Sequence, residues 1–130
     1  MEIKNLNPNI KHIDKIFHIS DIHIRTLKRH KEYKEVFENL FLHLAQYATP
    51  RSICVVTGDI VHSKLDMSPE LINMLTKFFN GFEIPTIVML GNHDMNLNNL
   101  YRMDAISPIL DVVKNPNIHF IKENGLYELG

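Results

Sequence analysis

The chain has 130 residues, 45% hydrophobic and 22% charged, a balance that fits one soluble globular domain or part of a larger one and is too apolar for intrinsic disorder. Fourteen Lys and Arg against fifteen Asp and Glu leave a formal charge of -1, so affinity for nucleic acid would have to come from a local patch. The single cysteine, Cys54, cannot close an internal disulfide, the N-terminus lacks the apolar stretch of a signal peptide, and no apolar run approaches a membrane span. These features predict an intracellular protein, cytoplasmic or nuclear, in a reducing compartment and without membrane association. Histidine stands out at eight residues.

In chain order, Lys15 to Ser20 is a short apolar run that stops at Asp21, the pattern of a buried strand. Tyr33, Val36, Phe37, Leu40, Phe41, Leu44 and Tyr47 fall at helical spacing, with Glu32, Glu35 and Glu38 on other faces, and predict an amphipathic helix ending before Pro50. Ser52 to Thr57 is a second strand, rich in β-branched residues and closed by Gly58. Ser68 as N-cap and Pro69 in the first turn open a second helix, whose buried stripe is Leu71, Ile72, Leu75, Phe78 and Phe79 and which Asn80-Gly81 stops. Thr86 to Leu90 is a third strand, closed by Gly91. A shorter helix is expected from Ser107-Pro108 to about Val113, then a strand at Ile118 to Ile121, and the start of another over Leu126 to Leu129. Strands alternating with amphipathic helices imply right-handed βαβ units: an α/β fold with a largely parallel sheet. In such sheets ligands gather beyond the carboxyl ends of the strands.

Three strand ends carry the chemistry: Asp21-Ile22-His23, Gly58-Asp59-Ile60-Val61-His62 and Gly91-Asn92-His93-Asp94. Asp59 lies 38 residues after Asp21 and Asn92 33 after Asp59, each separation suiting one βαβ unit. On neighbouring strands, Asp21, His23, Asp59, Asn92 and His93 would converge, with Asp21 and His23 facing the same way as i and i+2 of an extended chain. Carboxylate, amide and imidazole donors without thiolates suit Mn²⁺, Fe or Zn²⁺. One carboxylate can bridge two metals, and Asp59 on the middle motif is the natural bridge for a two-metal phosphoesterase centre. His93 would then donate a proton to the leaving oxygen or stabilise the pentacoordinate state, with Asp94 fixing its tautomer. Asp-x-His and Gly-Asp, each alone, are far more often turns after strands; Gly-Asn-His-Asp, and the three in order, are far harder to explain that way.

Asp-x-His, Gly-Asp and Gly-Asn-His-Asp in this order resemble the first three motifs of the calcineurin-like metallophosphoesterase superfamily. The stretch Gly58-Asp59-Ile60-Val61-His62-Ser63-Lys64, followed by Ser68-Pro69, is most similar to the SbcD-type nucleases of double-strand-break repair. That subfamily carries a histidine three residues after the Gly-Asp aspartate, where the protein phosphatases carry Gly-Asp-x-Val-Asp-Arg-Gly. The resemblance implies that Asp21 and His23 bind a first metal, Asp59 bridges, Asn92 binds the second metal, His93 is catalytic and His62 orients the DNA phosphate. Read without the resemblance, His62 is equally a surface histidine. The resemblance also implies Mn²⁺ as the usual metal, an SbcC-type ATPase as partner, and a homodimer.

The family supplies three further metal-binding histidines from a second half, in Gly-His and Gly-His-x-His motifs. The only histidine after His93 here is His119, within an apolar strand and without a preceding glycine, so it is expected to be a strand side chain. Residues 1–130 are therefore expected to be the N-terminal part of a calcineurin-like α/β sandwich, with half of the site and no activity alone; the alternative is that another chain supplies the remaining ligands. Arg25, Lys28, Arg29, Lys31 and Lys34 follow the first motif and could track a phosphate backbone; a solvated helix entry explains them as well, although cations in a first turn oppose the helix dipole. The expected function is DNA phosphodiester hydrolysis by a hydroxide activated by two metals. A nucleotide or small-phosphoester hydrolase of the same superfamily, and a catalytically dead scaffold, are the alternatives.

Overall fold

The computed structural model describes residues 3–6, 11–24, 30–60, 68–89, 109, 113–121 and 125–129. Its elements are β1 (Ile3–Asn5), β2 (Lys15–Ile19), α1 (His30–Tyr47), β3 (Ser52–Val56), α2 (Pro69–Asn80), β4 (Thr86–Met89), β5 (Ile118–Ile121) and β6 (Leu126–Glu128). Four strands form one parallel sheet in the order β2-β3-β4-β5, the largely parallel α/β arrangement expected from the sequence. Because sequence order and spatial order coincide, right-handed crossovers carry α1 and α2 to the same face of the sheet.

Register decides which side chains meet those helices. Phe17, Cys54, Thr86 and Ile118 align across the sheet, as do Ile19, Val56, Val88 and Phe120 two residues further on. These two rows join the core, where Cys54, Val56 and Val88 pack with Phe37 and Leu44 of α1 and Leu71, Leu75, Phe78 and Phe79 of α2. Phe37 and Phe78 bring the helices together with ring centroids 4.7 Å apart. Burial at Cys54 pushes its thiol up to about 12, so it is neutral and behaves as a small apolar side chain.

Local chemistry sets the helix ends. The Ser68 hydroxyl accepts the Leu71 N–H at 3.1 Å, Pro69 occupies the first turn, and Glu70 and Lys77 sit at the dipole-favoured ends of α2. α1 has no basic residue in its last turn. Lys15 of β2 supplies the cation instead, donating from Nζ to the Tyr47 carbonyl at 2.9 Å.

Two departures from the sequence reading have physical reasons. Sequence reading places no strand before Lys15, yet Ile3–Asn5 pairs in parallel with β6; three residues are too few to show a period, and their partner lies at the far end of the chain. Val36 is 58% exposed, Tyr47 46% and Ile72 41%, because the stripes that meet the sheet and the opposite helix are narrower than the apolar spacing suggests. Of the short helix expected over residues 107–113, Ile109 is helical and accepts the Val113 N–H at 2.9 Å; the rest of that span lies outside the described residues.

Candidate metal centre

Past the carboxyl ends of β2 and β3 the two chains keep exchanging hydrogen bonds. Thr57 N–H donates to Ile19 O at 3.0 Å, Asp21 N–H to Gly58 O at 3.3 Å, His23 N–H to Asp59 O at 2.9 Å and Ile24 N–H to Ile60 O at 2.8 Å. Ile24 and Ile60 are fully buried and act as apolar anchors, pulling the two segments down onto the core. The polar residues between them are left at the surface.

The backbone here is not extended. Asp21 has φ 55°, His23 53° and Asp59 52°, and Gly58 has φ 106°. The extended i, i+2 geometry expected for Asp21 and His23 is therefore corrected: both residues are left-handed. A left-handed conformation costs an L-residue roughly 1–2 kcal/mol, less for Asp and His than for β-branched types. Three such residues in two short segments are the kind of stored strain that collects at functional sites.

The conformation brings the expected side chains together. His23 Nε2 lies 3.4 Å from Asp21 Oδ1, and Asp21, His23 and Asp59 each offer one ligand atom, all within 4.8 Å of one another. Two donors about 2.1 Å from one ion stand roughly 3–4 Å apart, so small side-chain shifts let this trio share a cation. Two carboxylates and an imidazole suit a divalent first-row metal. Asp21 is exposed while His23 and Asp59 are half-buried, so the cluster opens to solvent. The Ser20 hydroxyl, 3.0 Å from Asp21 Oδ2, holds the Asp21 carboxyl below its usual range, and His23 adds to the effect. Asp21 is thus the charged, ligand-competent form at neutral pH.

Of the residues singled out from sequence, Asp21, His23 and Asp59 converge. His62, Asn92, His93 and Asp94, and the basic Arg25, Lys28 and Arg29, lie outside the described residues. Lys31 and Lys34 are exposed at the start of α1. His119 sits within β5 opposite Ile87, and burial lowers its pKa. Sequence reading missed two contributors. Ser20 looks like the last residue of a strand, and Tyr33 like part of an apolar stripe, yet the Tyr33 hydroxyl donates to the His23 carbonyl at 2.7 Å. The available signal was the amphipathic character of tyrosine one turn into the helix that follows the motif.

A parallel α/β sheet with a carboxylate–imidazole cluster at the ends of two adjacent strands is an arrangement able to hold a divalent metal ion. The sequence pattern of the calcineurin-like phosphoesterases matches residues 14–128, and the chain belongs to that family, whose members typically bind divalent metals. It is also 48% identical over 117 residues to an uncharacterized protein of Acanthamoeba polyphaga mimivirus, covering 87% of this chain and 9% of that protein. The chain thus spans a small part of the length of the relative it matches.

Proposed function

We propose that the chain carries part of the active centre of a metal-dependent phosphodiesterase that acts on DNA in the manner of the SbcD-type nucleases. The observation that carries the metal-centre reading is the placement of Asp21, His23 and Asp59 donor atoms within 4.8 Å of one another, beyond two adjacent parallel strands. Divalent ions at such a centre lower the pKa of water and neutralise charge that develops on a phosphate.

In this reading, Asp21 and His23 would hold one ion, Asn92 would hold a second and Asp59 would serve both. His93, oriented by Asp94, gives a proton to the leaving oxygen. His62 orients the phosphate, and Arg25, Lys28 and Arg29 follow the backbone of the substrate. The DNA assignment rests on His62 standing three residues after Asp59 and on the exposed Lys31 and Lys34 at the same end of the sheet. Mn²⁺, a homodimer and an SbcC-type ATPase partner complete the proposal. A second reading, hydrolysis of a nucleotide or small phosphoester, is favoured by the net charge of -1, which offers a long polyanion no general attraction.

The test compares Mn²⁺-dependent cleavage of linear DNA with that of bis-p-nitrophenyl phosphate by the full-length protein, with Asp59→Asn and His93→Ala as controls. Cleavage of both substrates, lost in both variants, is expected. Cleavage of the small ester alone would move the assignment to the second reading. Metal uptake without hydrolysis of either substrate would leave a scaffold and overturn both enzymatic readings.

A further inference from the structure

We infer that Tyr33 is a positioning residue for the metal centre, holding His23 in its ligand conformation through the backbone; the inference rests on the metal-centre reading proposed above. His23 is left-handed, with φ 53°, and an L-residue in that conformation relaxes unless its flanking peptides are held. Its N–H is held by the Asp59 carbonyl at 2.9 Å, which ties it to the other ligand segment. Its carbonyl accepts from the Tyr33 hydroxyl at 2.7 Å, a short bond between groups that are partly withdrawn from water. With the Ile24 N–H bond to the Ile60 carbonyl at 2.8 Å, these bonds fix the peptide planes on either side of His23, and so fix the direction in which its imidazole leaves the chain.

Tyr33 is itself braced. Its ring lies 6.1 Å from that of Phe37, and Phe37 packs at 4.7 Å on Phe78, so a continuous aromatic strut runs from the core between the helices to the His23 carbonyl. The first turn of α1 is thereby fastened to the segment that precedes it. Removing the hydroxyl alone leaves the strut and the Ile24 N–H to Ile60 carbonyl bond, but takes away the hold on the carbonyl side of the peptide and loosens it. The imidazole then samples orientations away from Asp21 and Asp59, and metal affinity falls while the fold persists. Partners one shell removed from a metal commonly alter affinity by about 10–100-fold; a contact made through the backbone belongs at the lower end, about tenfold.

The experiment titrates Co²⁺ into full-length wild type, Tyr33→Phe and Asp59→Asn. It follows the visible ligand-field absorption and the heat of binding, with thermal denaturation of each metal-free protein alongside. The expected result is an unchanged metal-free melting temperature for Tyr33→Phe within a few degrees, an affinity about tenfold weaker, and an altered ligand-field band that reports a displaced imidazole. Affinity within twofold of wild type and an unaltered band would overturn the role of Tyr33 while wild-type binding and its loss in Asp59→Asn leave the metal centre standing. A Tyr33→Phe protein that does not fold would also overturn it, since the hydroxyl would then hold the fold and not the ligand. No Co²⁺ uptake by wild type would instead remove the metal-centre reading and the inference with it.

Discussion

Gly81 offers a sharp test of the packing that carries the site. It follows α2 with φ −76° and ψ −17°, a conformation open to any residue, so its backbone does not require glycine. Space does. A Cβ at this position would overlap Cε2 and Cζ of Phe41 and stand 2.9 Å from Cδ2, and Phe41 is already committed, edge-on to Phe82 with centroids 5.2 Å apart and 6.3 Å from Phe78. Gly81→Ala would gain about 0.4–1 kcal/mol by restricting the unfolded chain. It would lose about 1–3 kcal/mol through the forced displacement of the ring. Phe41 is only half-buried, which favours the smaller loss, so a net destabilisation of up to about 0.6 kcal/mol is expected in urea denaturation. Phe41→Leu should relieve the overlap, making the double-mutant cycle non-additive by more than the roughly 0.5 kcal/mol seen for independent sites. A more stable Gly81→Ala protein, or an additive cycle, would refute the assignment of this contact.

Three further outcomes follow from the same structure. Ser68→Ala removes the acceptor for the Leu71 N–H and should cost about 1 kcal/mol; an unchanged denaturation midpoint would contradict that capping role. Burial lowers the His119 pKa from its usual 6.5, so the folded state favours the neutral ring. Its contribution to stability is present above 6.5 and is lost as pH falls, because the unfolded chain takes up the proton first. An NMR titration should place its midpoint below 6.5, and a value above would contradict the burial. The Cys54 thiol, pushed up to about 12 and fully buried, should resist a disulfide reagent at pH 8 until the chain is unfolded; rapid labelling of the native protein would show that the core opens.

The elements that sequence reading found were those with strong local signals. α2 carries a cap at Ser68, a proline in its first turn and a glycine beyond its end, and β3 is a run of residues suited to a buried strand. Asp21, His23 and Asp59 could be grouped beforehand because adjacent parallel strands deliver their carboxyl ends to one side of a sheet. What the residues did not disclose was the geometry by which they meet. Non-glycine residues at left-handed φ are rare enough that no local rule anticipates three of them, and here the conformation is held by backbone bonds between two segments and by Tyr33 from a third. β1 depends on β6, and the C-terminal end of α1 depends on Lys15 from a strand that precedes it. These are long-range partnerships with no local spacing to betray them.

The most direct measurement is the position of a metal ion. A crystal structure of the protein grown with Mn²⁺, with an anomalous difference map recorded at the manganese edge, should show a peak about 2.2 Å from donor atoms of Asp21, His23 and Asp59 together. The Asp59→Asn variant should weaken or lose that peak. A fully occupied Mn²⁺ bound elsewhere on the protein, with no density among these three side chains, would contradict the account.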